Sequence, residues 1–171
     1  MKKFNIIIVS IALLAALICR WAPAARADDQ QEISDLEHKV AVAPNADEAM
    51  KYFDSGDDVV VFDMMGPPRV FTGRKAIHDH WAGFPEVKDV KADFLELKVI
   101  SDGKLAVALS EQHYTAKNPD GKPLDMTFRQ TDLWRKSNGQ WKLVHMHISF
   151  PVDLKTGKAD MASRCKFKGA A

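Results

Sequence analysis

Cysteine is nearly missing from this chain, Cys19 and Cys165 being its only two. That scarcity leaves no room for a multi-bridge disulfide scaffold or a paired-cysteine zinc motif. A glycine-rich phosphate loop and a serine nucleophile elbow are missing too, which removes the phosphate-binding and hydrolase chemistries those motifs carry. Charge is almost balanced, 24 basic against 23 acidic residues, so nothing calls for nucleic acid or an anionic membrane as partner. No internal repeat or low-complexity linker divides the sequence. One long apolar run exists, Phe4 to Ile18, and it falls short of the roughly 20 residues that span a bilayer.

That run has the layout of a secretory signal. Lys2 and Lys3 precede it, Ala25-Arg26-Ala27 follows as a small-x-small cleavage site, and cleavage is expected after Ala27. Bulky Ile18 stands where a lipoprotein signal needs a small residue, so no lipid is expected on Cys19. Periplasmic or secreted location follows, with no membrane contact after cleavage. Only Cys165 then remains, which rules out an intramolecular disulfide in an oxidising compartment. It sits in a basic run, Arg164 to Lys168. The expected organisation is a signal over 1–27, one domain over 28–156 and a basic, loosely ordered tail over 157–171.

Along the mature chain, Ile33, Leu36 and Val40 recur at helical spacing between Gln30 and Val42. Ala43-Pro44-Asn45 breaks that helix, and Asn45 or Asp47 caps a second short one. Val59 to Met65 reads as a buried strand interrupted by one carboxylate, Asp63. A brief strand follows from Arg69 to Thr72, and Gly73 releases the chain into a helix from Arg74 to about Ala82. Four long strands complete the chain, Val90–Ile100, Lys104–Ala116, Leu124–Lys136 and Gln140–Val152, with turn sequences between them. Helices first and a long sheet afterwards make an α+β layout.

The last hairpin sorts its side chains by alternation. Met126, Phe128, Gln130, Asp132 and Trp134 share one face; on the next strand Trp141, Leu143, His145, His147 and Ser149 share one. Neither strand has a purely apolar face. Polar groups set among large apolar ones are what a sheet lining a pocket presents.

Three stretches carry a family resemblance: Asp57-Asp58-Val59-Val60-Val61-Phe62-Asp63, Thr72-Gly73-Arg74-Lys75-Ala76-Ile77, and Leu133-Trp134 followed by Gly139 to Ser149. Together they resemble the SnoaL-like branch of the nuclear-transport-factor-2-like superfamily. The last stretch is also similar to the association domain of calcium/calmodulin-dependent kinase II. The resemblance implies a cone-shaped α+β fold, in which about three amino-terminal helices pack on a strongly curved antiparallel sheet around a cavity, as a homodimer. It implies no single reaction, because the superfamily includes isomerases, cyclases, dehydratases and non-catalytic oligomerisation domains.

Ketosteroid isomerase, of the same superfamily and a worked example of tuned carboxylates, supplies the mechanistic template. By motif position Asp63 falls near its base and Asp132 near its oxyanion acid; its tyrosine has no counterpart in the first helix. Asp63 therefore stands as a general base or as a cap on the Gly66-Pro67 turn. Asp132, His145 and His147 stand as acid or hydrogen-bond donors, or as structural partners of one another. Tyr52, Trp81, His113, Phe128, Gln130, Trp134 and Ser149 are expected to line the pocket. His145 and His147 have an acceptable spacing for metal ligands, with His113 or Glu111 as third ligand. The kinase association domain carries the same His-x-His without a metal role, so neither metal nor cofactor is expected. Two functions remain: an exported protein that binds a small, largely apolar molecule with isomerase-type or lyase-type acid-base chemistry, and a non-catalytic oligomerisation or partner-binding module.

Overall fold

Asn138 and Gly139 both adopt positive φ, 52° and 79°, closing a two-residue turn between the paired residues Ser137 and Gln140. This turn joins the strands around which the sheet is built. The computed structural model describes residues 27–65 and 70–163; the expected signal over 1–27 lies outside them except for Ala27, and so do Cys165 and its basic run. Three helices stand among the described residues: α1 over 27–41, α2 (Ala46–Met50) and α3 (Arg74–Ala82). Six strands follow one another as β1 (Val60–Phe62), β2 (Val70–Thr72), β3 (Lys88–Ser101), β4 (Leu105–Lys117), β5 (Pro123–Ser137) and β6 (Gln140–Ser149).

They form one open sheet in the order β2-β1-β6-β5-β4-β3. The four long strands make the expected antiparallel meander. The sheet as a whole is mixed, because β1 lies parallel to β6. A parallel pair needs a long connection, and here everything from β2 to β5 supplies it. Irregular pairing interrupts the β3/β4 ladder at two places and the β5/β6 ladder once, which bends the strands.

The helices cover one face. On α1 the inward stripe is Asp29, Ile33, Leu36, Glu37 and Val40, an i, i+4 and i+7 repeat that mixes acids with aliphatics. Ile33 packs with Met50, Phe53, Val61, Ile77, Trp134 and Leu143 in the core. Asp29 accepts from Lys136 Nζ at 2.6 Å and from Trp141 Nε1 at 3.3 Å, pinning the start of α1 to the last hairpin. Asn45 caps α2 by accepting from the Glu48 amide at 2.9 Å.

The Thr72-Gly73-Arg74 motif has a structural purpose. Gly73 takes φ 82° and donates its amide to Val59 O at 2.8 Å, turning β2 into α3. Arg74 Nη1 then reaches the carbonyls of Met50, Phe53 and Asp54 at 2.8, 2.9 and 3.1 Å, collecting the chain that leaves α2. Beyond β6 the chain stays tied to the domain. Val152 bridges Ala159, Asp160 donates to Pro151 O at 2.8 Å, and Thr127 donates to Met161 O at 2.8 Å. Of the tail expected over 157–171, the described residues 157–163 carry hydrogen bonds as far as the Ser163 amide, and the rest lies outside the described residues.

Candidate functional site

Between the helices and the inner face of the sheet lies an open pocket of about 580 Å³. Its mouth is built by the α1–α2 connection (Val40 to Asp47) and the α3–β3 connection (Phe84 to Val87). Its wall is Met126, Phe128, Gln130, Gln112, Tyr114, Met146 and Ile148 from the sheet, with Trp81 from α3 and Asp63 just past β1. Most of these groups are apolar, as small-molecule pockets generally are.

Asp63 is the buried charge of that wall. Its Oδ2 accepts from Trp81 Nε1 at 3.0 Å and meets His80 Nε2 at 3.2 Å; among the described residues its Oδ1 accepts from the Met65 amide, at 2.9 Å. The last bond is a contact to the amide two residues on, of the kind an aspartate makes at a turn, while the Gly66-Pro67 turn expected to be capped by Asp63 lies outside the described residues. His80 is clamped, stacked on Phe71 with ring centroids 3.7 Å apart and edge-on to Phe84 at 4.8 Å. Clamping of this kind fixes which ring nitrogen meets Asp63.

The two glutamines are also held by their amide nitrogens. Gln130 Nε2 donates to Asp132 Oδ2 at 2.5 Å, and Gln112 Nε2 donates to Ser110 Oγ at 3.0 Å. Asp132 itself does not line the pocket; it is 1% exposed behind Gln130. There it meets Glu37, also 1% exposed, whose Oε1 accepts from Trp134 Nε1 at 2.6 Å. Asp132 Oδ1 has no donor. A proton held on either carboxyl would let one donate to the other and satisfy it. Burial, and then the charge and hydrogen bond of Glu37, push the Asp132 carboxyl well above the usual range. Burial also raises Glu37, opposed by the hydrogen bonds of Asp132 and Trp134. Both carboxyls are held above the usual range, Asp132 well above it, and they take up and release protons as a pair rather than separately.

At the mouth, His78 Nε2 lies 3.0 Å from Asp47 Oδ1, and Nδ1 lies 3.4 Å from Asp79 Oδ1. Asp47 first and Asp79 second raise the pKa of this imidazole above its ordinary value.

Of the expected site residues, Asp63, Trp81, Phe128 and Gln130 occupy the pocket wall. His145, His147 and Ser149 do not. On β6 the partner of Leu133 is His145 and that of Trp134 is Leu143, so Val144 is an extra residue. One extra residue reverses every side chain beyond it. Met146 and Ile148 turn inward, while His145 and His147 pack on Phe62 of the outer face with centroids 4.9 and 5.5 Å away. Ser149 pairs with Arg129 there. His113 is on the outer face as well, 3.0 Å from Asp125. It pairs with Thr127 whereas His147 pairs with Thr131, so the imagined three-ligand metal set is not assembled. Among the described residues no group of three or more His, Cys, Asp and Glu could hold a metal ion. Trp134 is fully buried core, and Tyr52 packs against the core beside Leu143.

His78, His80, Gln112 and Glu37 belong to this region without being foreseen from the sequence. Glu37 had a signal: it stands four residues after Ile33, on the stripe that must face inward.

A curved, open six-stranded sheet with a few helices on one face, leaving a pocket between the layers, defines a nuclear-transport-factor-2-like domain. The SnoaL-like domain family matches residues 31–153, and the chain belongs to that family. A nuclear-transport-factor-2-like protein of unknown function from Pseudomonas putida is 25% identical, with 81% of this chain and 98% of that one covered and a TM-score of 0.68. A superfamily member from Salmonella enterica is 19% identical over 81% and 99% of the two chains, TM-score 0.62. The association domain of calcium/calmodulin-dependent protein kinase II from C. elegans is 18% identical over 72% and 97%, TM-score 0.59. No curated protein matches the chain.

Proposed function

We propose that this SnoaL-like domain is exported, loses residues 1–27, and binds a small, largely apolar organic molecule in its pocket. The observation that carries this reading is Asp63, a buried carboxylate in an apolar wall, backed by Trp81 and His80 and facing space of about 580 Å³. A carboxylate oxygen has two lone pairs, and among the described residues Oδ1 has one donor, the Met65 amide. It is the atom that accepts a hydrogen bond from the bound molecule. In an isomerase-type or lyase-type reaction a proton leaving substrate carbon ends on Oδ1, while Trp81 and His80 hold Oδ2. Positioned proton transfer of this kind supplies about two to four orders of magnitude in rate. Asp132 takes no direct part; it orients Gln130, which does face the pocket.

Asp63→Asn tests this directly. The amide keeps the volume but loses the charge and half of the acceptor capacity, so affinity for pocket ligands, read by quenching of Trp81 fluorescence, is expected to fall about tenfold or more. Undiminished binding by a folded variant removes Asp63 from recognition.

A second reading is assembly. The outer sheet face exposes Phe62, Val70, Ile100 and Leu105, and similar structures include association domains. Homodimerisation through that face is compatible with a pocket on the other.

A further inference from the structure

The formal charges among the described residues of the pocket lining are mostly of one sign. Its carboxylate groups are Asp47, Asp63 and Glu86, and among the described lining residues there is no Lys or Arg. The one basic group there, His78, is already engaged by Asp47 and Asp79. Gln112 and Gln130 each commit one amide N–H, to Ser110 and Asp132, which turns part of each amide away and keeps a carbonyl oxygen as an acceptor for a ligand beside the second N–H. Asp63 Oδ1 is likewise an acceptor. Around these acceptors stand the rings of Trp81, Phe84, Phe128 and Tyr114. Aromatic faces attract cations, more strongly where water is excluded. A bound anion would meet Asp63 with no Lys or Arg among the described lining residues to offset the contact, whereas a bound cation would pair with the free side of the carboxylate, opposite His80 and Trp81.

We propose that the pocket selects an organic ammonium ion, an amine carried on an apolar body, over neutral and anionic molecules of the same shape. The inference rests on the reading that the pocket binds a small molecule and adds the chemical class. The ammonium N–H groups donate to Asp63 Oδ1 and to the glutamine carbonyls, and the apolar body fills the space between Phe128, Met126 and Ile148. At the mouth, Asp47 and Glu86 favour entry of a positive charge.

Three probes on one ring system decide it: 1-naphthylmethylamine, 1-naphthylmethanol and 1-naphthoate, each titrated by calorimetry into the chain beginning at Asp28 at pH 7. The amine is protonated there. It is expected to bind about tenfold tighter than the alcohol and about a hundredfold tighter than the carboxylate. In Asp63→Asn, checked for folding by circular dichroism, the amine's advantage over the alcohol is expected to shrink toward parity. Equal binding of amine and alcohol by the unsubstituted chain, or tighter binding of the carboxylate, overturns the ammonium assignment and leaves the pocket reading standing. Absence of binding by all three overturns both. The comparison of probes on the unsubstituted chain decides the matter even where the variant does not fold.

Discussion

Glu37→Ala is expected to destabilise the domain by about 3 kcal/mol, because it strands a buried Trp134 N–H and opens a void beside it. Glu37→Gln keeps an acceptor for Trp134 and is expected to cost less than about 1 kcal/mol. The pH dependence distinguishes a shared proton from simple packing. In the unfolded chain both carboxyls titrate near pH 4. In the folded chain both are raised by burial, Asp132 further by the neighbouring Glu37. Between those ranges the folded state holds more protons than the unfolded one. Stability from this pair is therefore fully present below about pH 4 and is lost as pH rises through the native values. Asp132→Asn supplies a permanent donor to Glu37 and removes that loss, so urea unfolding of the variant at pH 5 and pH 8 should show a smaller difference than the unsubstituted chain. An unchanged difference would mean that the two carboxyls do not share a proton.

Arg74→Met is expected to cost about 3 kcal/mol. The guanidinium serves three backbone carbonyls at once, Met50, Phe53 and Asp54, and its loss leaves partly buried acceptors without their charged donor. Lysine offers a point charge in place of a planar fork and should recover only part of the loss. Urea midpoints of Arg74→Met and Arg74→Lys measure both. The same anchor sets the angle at which α3 carries Trp81 and His80 to Asp63, so the loss reaches the site as well.

Much of this architecture is legible in local chemistry. Asn138-Gly139 specifies its turn, Asn45 its cap and Gly73 the entry to α3, each because one residue's conformational or hydrogen-bonding preference decides the geometry. The four long strands follow from their β-branched and aromatic runs, and their ends differ by no more than three residues from the pattern. The pairing of β1 with β6 is invisible locally, since nothing near Val60 names a partner 85 residues away at His145. The site is harder to read for a related reason. Alternation places side chains correctly only until a bulge, and the single extra residue at Val144 exchanges His145 and His147 for Met146 and Ile148. Glu37 escapes notice because an acid on an amphipathic helix reads as solvated surface, and only the Asp132–Trp134 region opposite it makes burial tolerable. Asp63, just past β1, and Gln130, on β5, stand on segments that the extra residue of β6 does not enter, and both reach the pocket wall.

Whether the pocket at Asp63 holds an organic molecule is tested most directly by native mass spectrometry of the protein purified from cells that express the full sequence, where the proposed export and cleavage can take place, followed by denaturation to release anything bound. The expected result is a chain that begins at Asp28 and carries a releasable small molecule that Asp63→Asn does not retain. A dimer or larger ring that carries nothing, with the unsubstituted chain and Asp63→Asn indistinguishable in every bound species, would contradict it and leave assembly as the function of the fold.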